Sequence, residues 1–185
     1  MSRLFLVIMF IFSTIKANAL IEVDITRGNL NPLPIAVSPL SIDESSRESF
    51  ENILKKENIG IEISNVVEQN LKTSGLFNPL NKDAFLQEPD IANLKPRFED
   101  WNLIKAQALI TGKVNFIEDK LRVEFRLWDV LAGKEMMALA FTTVPNNWRR
   151  VGHIITDKVY ERLTGEKGYF DTRIIYVAEE GPKTR

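Results

Sequence analysis

The sequence contains no cysteine and has little excess charge of either sign. Disulfide bonds and thiolate chemistry are therefore excluded, and the fold must be stabilised by burial. The formal net charge is −1, so no basic field points to a nucleic-acid partner. Long apolar runs are scarce as well. The run LFLVIMFIF at residues 4–12 is less than half of the roughly 20 residues that a membrane-spanning helix needs.

The composition is that of a folded protein. Of 185 residues, 44% are hydrophobic and 26% are charged, so the chain can bury a core and is not compositionally disordered. This length fits one domain, or one domain and part of another.

Residues 1–19 have the layout of a secretory signal peptide. Arg3 gives a positive start, the apolar run follows, and Ala17, Asn18 and Ala19 form an A-x-A cleavage site. The alternative, a membrane anchor, requires a longer apolar run. We expect cleavage after Ala19, a mature chain that is not embedded in the membrane, and a periplasmic location, which suits a cysteine-free fold.

The hydrophobic periodicity of residues 20–165 predicts one compact α/β domain, a mixed β-sheet covered by helices. Helices are expected shortly after residue 45, from residue 59 to the stop at residues 74–75, near residues 98–104, and from residue 146 or 147 to residue 165. Residues 81–96 are expected to be mostly loop. Strands are predicted at residues 21–26, 34–40, 76–80, 108–116, 121–130 and 136–144.

Several residues are expected to begin or anchor these helices. A capping box at Ser45–Glu48 predicts the start of the first helix, and Asn146 or Asn147 is expected to cap the last one. The apolar stripe of the last helix begins with Trp148, which we expect to be a buried aromatic. The stripe continues with Val151, Ile155, Val159 and Leu163.

The sequence offers little catalytic chemistry, and we predict neither an enzyme nor a bound metal or cofactor. His153 is the single histidine and lies about 200° around the helix from Val151, so we expect it on a surface or interface away from the apolar stripe. A nucleophile would need an orienting base, and a metal would need further ligands at suitable spacing. Four carboxylate pairs are interpreted as solvated charges of turns and helix starts: Asp43-Glu44, Glu99-Asp100, Glu118-Asp119 and Glu179-Glu180.

Three blocks of the sequence resemble the TolB family, the periplasmic component of the Tol–Pal system. The first block joins NIG at residues 58–60 to NLKTSGLFNPL at residues 70–80. The second is Trp101 followed by AQALITG at residues 106–112. The third contains Trp148-Arg149, Gly152-His153 and Asp157, then LTGEKGYFDTRIIYV at residues 163–177. Two features depart from the family pattern: residues 41–57 are longer than expected, and Leu40 stands where phenylalanine is usual.

The resemblance implies a domain order and two partners. It implies an N-terminal α/β domain similar to anticodon-binding-type domains at residues 20–165, then a linker and the start of a truncated six-bladed β-propeller at residues 166–185. An adaptor role is implied, in which the propeller binds the lipoprotein Pal and the mature N-terminus binds the C-terminal domain of TolA. The residues implied for the TolA contact are Leu20, Ile21, Glu22, Val23, Asp24, Ile25 and Thr26.

Residues 21–26 suit such a contact on energetic grounds. Three inward apolar side chains contribute about 1.5–3 kcal/mol each if fully buried, whereas ordering the backbone costs about 1–2 kcal/mol per residue. The segment is therefore close to balance between docking and release for strand addition to a partner. The alternatives are that it is simply the first strand of the sheet, or that the chain is a periplasmic solute-binding domain with a polar pocket. A cell-wall hydrolase would need an acidic pair across a cleft, which the sequence does not place.

Overall fold

The computed structural model describes residues 21, 31–55 and 58–172. Within these residues, short strands and helices follow one another up to Leu103. A three-strand meander and a long final helix come after them. There are also two short 3₁₀ turns, Lys82–Ala84 and Pro145–Asn147. The elements in chain order are β1 Leu33–Val37, β2 Ser41–Ile42, α1 Glu44–Leu54, α2 Ile59–Thr73, β3 Phe77–Pro79, α3 Pro89–Leu94, α4 Phe98–Leu103, β4 Ala108–Ile117, β5 Lys120–Asp129, β6 Lys134–Thr143 and α5 Trp148–Thr164.

These strands form one mixed sheet in the order β3-β1-β4-β5-β6, with β2 also pairing with β4. The β1 strand is parallel to both of its neighbours, β3 and β4. Its residue Ile35 is opposite Pro79 of β3 and Ala108 of β4. The β4, β5 and β6 strands are antiparallel. The turn between β4 and β5 places Glu118 and Asp119 at φ 48° and 59°, the left-handed geometry of a tight hairpin. The predicted mixed α/β sheet is confirmed.

The main core lies between one face of the sheet and helices α1, α2 and α5. On β5, buried side chains alternate with half-exposed ones, because successive residues of a strand point to opposite faces. The four apolar residues predicted for the inward face of this strand are buried. They are Leu121, Val123, Phe125 and Leu127.

A second, smaller core lies on the opposite face of the sheet under the short helices α3 and α4. Ala36 and Leu109 alternate with main-core residues of β1 and β4, so they point to this other side. Trp101 of α4 is its largest member and is 1% exposed. Its indole Nε1 donates to Gln87 Oε1 at 2.8 Å, and its ring meets Phe85 edge-on at 5.0 Å.

Helix α2 lies against the loop after β1 at Gly60. A Cβ on this residue would be 2.0 Å from the carbonyl oxygen of Leu40, so only glycine allows the approach. Ser64, one turn later, donates to Ser38 O at 3.1 Å and accepts from Leu40 N at 3.0 Å. These contacts place the start of the helix over the end of the strand.

The helix starts differ from prediction. Helix α1 is capped by Asp43, whose carboxylate accepts from Ser45 N at 3.3 Å, so the capping box at Ser45 is wrong by two residues. Ser46 is instead buried and accepts from Phe116 N at 2.9 Å. Helix α5 follows Asn147, whose side chain makes no cap bond to the helix; its amide Nδ2 donates to Thr143 Oγ1 at 3.3 Å.

Two further expectations are corrected. Trp148 is half-buried and packs on the border of the main core, because the first turn of α5 lies at the margin of the sheet; it is not a buried aromatic. Residues 81–96, expected to be mostly loop, contain helix α3 and a 3₁₀ turn. Pro89 occupies the first turn of α3, where its missing N–H and fixed φ cost nothing.

Candidate interaction sites

The segment predicted to bind TolA lies mostly outside the described residues. Leu20 and residues 22–26 fall there, so the structure does not test the predicted strand. Ile21 is described: its side chain is half-buried and packs against the main core. At least the second residue of the expected mature chain is therefore in contact with the domain.

His153 is half-buried and lies at the contact between helices α2 and α5. Its Nδ1 is 2.9 Å from Nδ2 of Asn70, which also donates to Thr156 Oγ1 at 3.1 Å. The helices approach closely here because Gly152 has no side chain; a Cβ would be 2.7 Å from Val66 Cγ1. The expectation that His153 lies outside the apolar stripe, on a surface or interface, is confirmed: the interface is the one with α2. The histidine has a structural role in joining the two helices.

The described carboxylate pairs lie in turns and helix starts, as predicted. Asp43 caps α1, and Asp100 pairs with Arg97 within the first turn of α4 at 2.6 Å. Glu118 and Asp119 form the hairpin turn. Over residues 31–55 and 58–172, no cluster of three or more acidic or histidine side chains could hold a metal ion.

Large apolar side chains are exposed around the second core. Ile91 and Leu94 project from α3 with 51% and 84% of their surface accessible, and Leu103 at the end of α4 has 71% accessible. Leu86 before α3 and Leu131 after β5 are also more than half exposed. Where such side chains form one contiguous patch, the patch is typical of a surface that contacts other proteins.

The chain leaves the domain along helix α5. Gly165 has a φ of 75° and ends the helix, and the following residues return along its outer side. Phe170 N and Asp171 N donate to the two carboxylate oxygens of Asp157 at 2.7 and 3.1 Å. Arg150, near the start of the helix, holds Asp171 through two parallel hydrogen bonds. None of the helices in the described ranges combines the length and apolar character needed to cross a bilayer.

Comparison with known proteins agrees with the fold. The family model described as the TolB amino-terminal domain matches residues 21–136. The Tol-Pal system protein TolB of Pelagibacter ubique (strain HTCC1062) is 82% identical over 181 residues, which are 98% of this chain and 41% of that protein. The crystal structure of TolB from Acinetobacter baumannii superposes with a TM-score of 0.58 at 21% identity, over 75% of this chain and 30% of that one.

These matches agree with the three blocks noted in the sequence, and the structural match independently supports the mixed sheet with its covering helices. The chain spans less than half the length of the curated relative that it matches. The chain belongs to the TolB family, and the family's amino-terminal domain accounts for residues 21–136.

Proposed function

We propose that this chain is a periplasmic adaptor of the Tol–Pal system, which couples TolA to Pal and supports outer-membrane integrity and constriction during cell division. The observation that carries the proposal is the 82% identity to a Tol-Pal system protein. Exposed leucine and isoleucine side chains around the second core also favour a protein that works through protein contacts.

The proposal assigns residues 1–19 to a signal peptide, 20–165 to the α/β domain, and 166–185 to a linker and the start of a β-propeller. The charged start, the apolar run and the A-x-A site support cleavage after Ala19. The contact with Pal is assigned to the propeller, which would occupy the part of the longer relative that this chain does not span.

The TolA contact is assigned to residues 20–26. Ile21 supports this assignment because a half-buried side chain at the border of the core stabilises the docked segment by less than the 1.5–3 kcal/mol of full burial. Release of the Ile21 side chain would therefore cost little. If a partner binds only the released form, its apparent affinity equals its affinity for that form multiplied by the fraction of molecules in which the segment is released.

Calorimetric titration with the C-terminal domain of TolA tests this assignment. We expect the chain starting at Leu20 to bind and a chain starting at residue 29 to lose binding. Lys95→Ala, at an exposed position on the other side of the sheet from the main core, is the matched control and should bind as the parent chain does. Equal binding with and without residues 20–28 would place the TolA contact elsewhere.

A second titration tests the division of labour between the two partners. The processed chain should show no specific binding to Pal, because the proposed Pal surface lies in the propeller. Val23→Asp should change the affinity for TolA, because an unpaired charge is costly in either a docked or a strand-added segment. Tight Pal binding, together with unchanged TolA affinity, would contradict both assignments. N-terminal sequencing of exported protein checks that it begins at Leu20.

A further inference from the structure

Residues 165–172, called the strap below, follow the last helix and pack against it. The left-handed Gly165 reverses the chain, and its N–H closes the helix by donating to Glu161 O at 2.9 Å. Gly168 then lies directly on the helix, since a Cβ there would be 2.4 Å from Asp157 Cα. The chain can therefore follow the helix this closely only with glycine at this position.

The carboxylate of Asp157 binds the backbone of the strap. Oδ1 accepts from Phe170 N at 2.7 Å, and Oδ2 accepts from Asp171 N at 3.1 Å. Hydrogen bonds to an ionised acceptor are stronger than those between neutral groups. Because both oxygens of one side chain bind successive N–H groups, Asp157 determines both the position and the direction of the strap.

The strap is held at two further points. Arg150 Nε and Nη2 donate to the two carboxylate oxygens of Asp171, each at 3.0 Å, and this hydrogen-bonded partner raises the pKa of Arg150. An exposed ion pair contributes little stability, but the bidentate form restricts orientation. Phe170 is half-buried and packs on the main core. Its ring and that of Tyr169 meet Tyr160 edge-on at 5.8 and 5.5 Å.

The contacts run from Tyr160 and Asp157 back to Arg150, so the strap travels towards the start of the helix. Asp157, whose carboxylate binds the N–H groups of Phe170 and Asp171, lies seven residues before the end of α5, about 10 Å along the helix axis at 1.5 Å per residue. A free linker of the same length would instead spread over a root-mean-square distance of about 16 Å in any direction. The strap thus replaces a broad distribution of exit points with one, beside Asp157 in the middle of the helix.

We propose that the strap, anchored by Asp157, fixes where and in which direction the chain leaves this domain. Any domain that follows is then held in a fixed position relative to helix α5 and is not attached through a flexible linker. This inference stands apart from the assignment of TolA and Pal, because it depends only on contacts within the described residues.

Amide hydrogen exchange of the full chain tests this proposal directly. In the parent protein, the amides of Phe170 and Asp171 should exchange at least tenfold more slowly than in a free peptide. Asp157→Ala should return them to the free rate while the amides of β4 and β5 keep their protection. Lys158→Ala is the control, because this neighbouring side chain pairs with Glu161 and not with the strap.

A second variant and a second readout keep the test decisive if Asp157→Ala destabilises the whole domain. Gly168→Ala adds a Cβ whose three nearest atoms all belong to Asp157, so it must push the strap from the helix. The chain has no cysteine, so cysteines introduced in place of Glu161 and Thr172 would be the only sites that react with a spin label. We expect one narrow distance distribution in the parent chain and a broad one with Gly168→Ala. A broad distribution in the parent chain, or a narrow one in the variant, would overturn the proposal, as would free-peptide exchange of the two amides in the parent.

Discussion

Truncation of Trp101 to alanine is expected to be among the most damaging changes in the described core. The side chain is 1% exposed and packs between the sheet and the loop before α3. Removing a buried tryptophan typically costs about 3–5 kcal/mol, a large share of the roughly 5–15 kcal/mol that stabilises a domain. With a urea slope of about 2 kcal/mol per molar, the unfolding midpoint should fall by about 2 M.

Trp148→Ala is the matched control, since it removes the same side chain from another helix. Trp148 is half-buried, and the guanidinium carbon of Arg149 lies 6.0 Å from the centre of its ring. We expect a loss of about 1 kcal/mol, in proportion to the smaller apolar surface that this side chain buries. Urea unfolding followed by circular dichroism measures both variants, because the fluorescence signal itself changes when a tryptophan is removed.

Trp101→Phe separates packing from hydrogen bonding. The ring contact is largely kept, while Gln87 Oε1 loses the indole donor and keeps only the one from Arg97 N at 2.8 Å. The expected loss is about 0.5–1.5 kcal/mol from the hydrogen bond, plus a small contribution from the reduced volume. A loss for Trp101→Ala as small as that expected for Trp148→Ala, about 1 kcal/mol, would refute the reasoning, because it would show that the second core does not contribute to the cooperative unit.

Three other changes have defined outcomes. Gly60→Ala should destabilise the domain by about 1–3 kcal/mol through overpacking. Gly75→Ala should cost less, because its Cβ meets nothing within 4 Å and only the φ of 74° is unfavourable. Thermal unfolding of both variants measures the difference. Asp43→Ala should cost about 0.5–2 kcal/mol as a lost helix cap, and Ser45→Ala should cost less, which urea unfolding can distinguish. Burial raises the pKa of Tyr160, so its neutral phenol contributes stability that is present below about pH 10 and is lost as the pH rises through the folded-state pKa. Tyr160→Phe should therefore lose less stability than the parent chain between neutral pH and pH 11, and an identical pH profile would contradict this explanation.

The regular elements could be predicted because their patterns are long. The meander has strands of ten residues, with clear alternation in β5, and α5 has a sustained apolar stripe. Helix α3 has six residues, too few to show a helical period, and Pro89 was its main available signal. At the start of α1, Asp43 and Ser45 are both good caps two residues apart, and the choice depends on the backbone path out of β2.

Tertiary placement was less accessible than local pattern. Trp148 continues the stripe of α5, but whether it is buried depends on how far the sheet extends beneath the first turn of the helix. His153 lies outside the stripe, and its contact with Asn70 arises from a second helix that approaches at Gly152. The strap had no periodic signal, because its order depends on side chains of α5 distant in sequence. For residues 20–26, the TolA contact stays a prediction.

The position of β1 between β3 and β4 has a consequence for the order of folding. The β4–β5 turn joins residues that are neighbours in the chain, such as Ile117 and Lys120, whereas Val37 must find Ile110 across much of the domain. Pairings between distant residues form late because closing a long loop costs entropy before any contact is gained. We expect the meander to form the folding nucleus, and β1 to join it late, together with β3, which pairs only with β1 in the described sheet. Val123→Ala should therefore slow refolding, whereas Val37→Ala should chiefly speed unfolding. An interior strand of the finished sheet would then be among the last to join it.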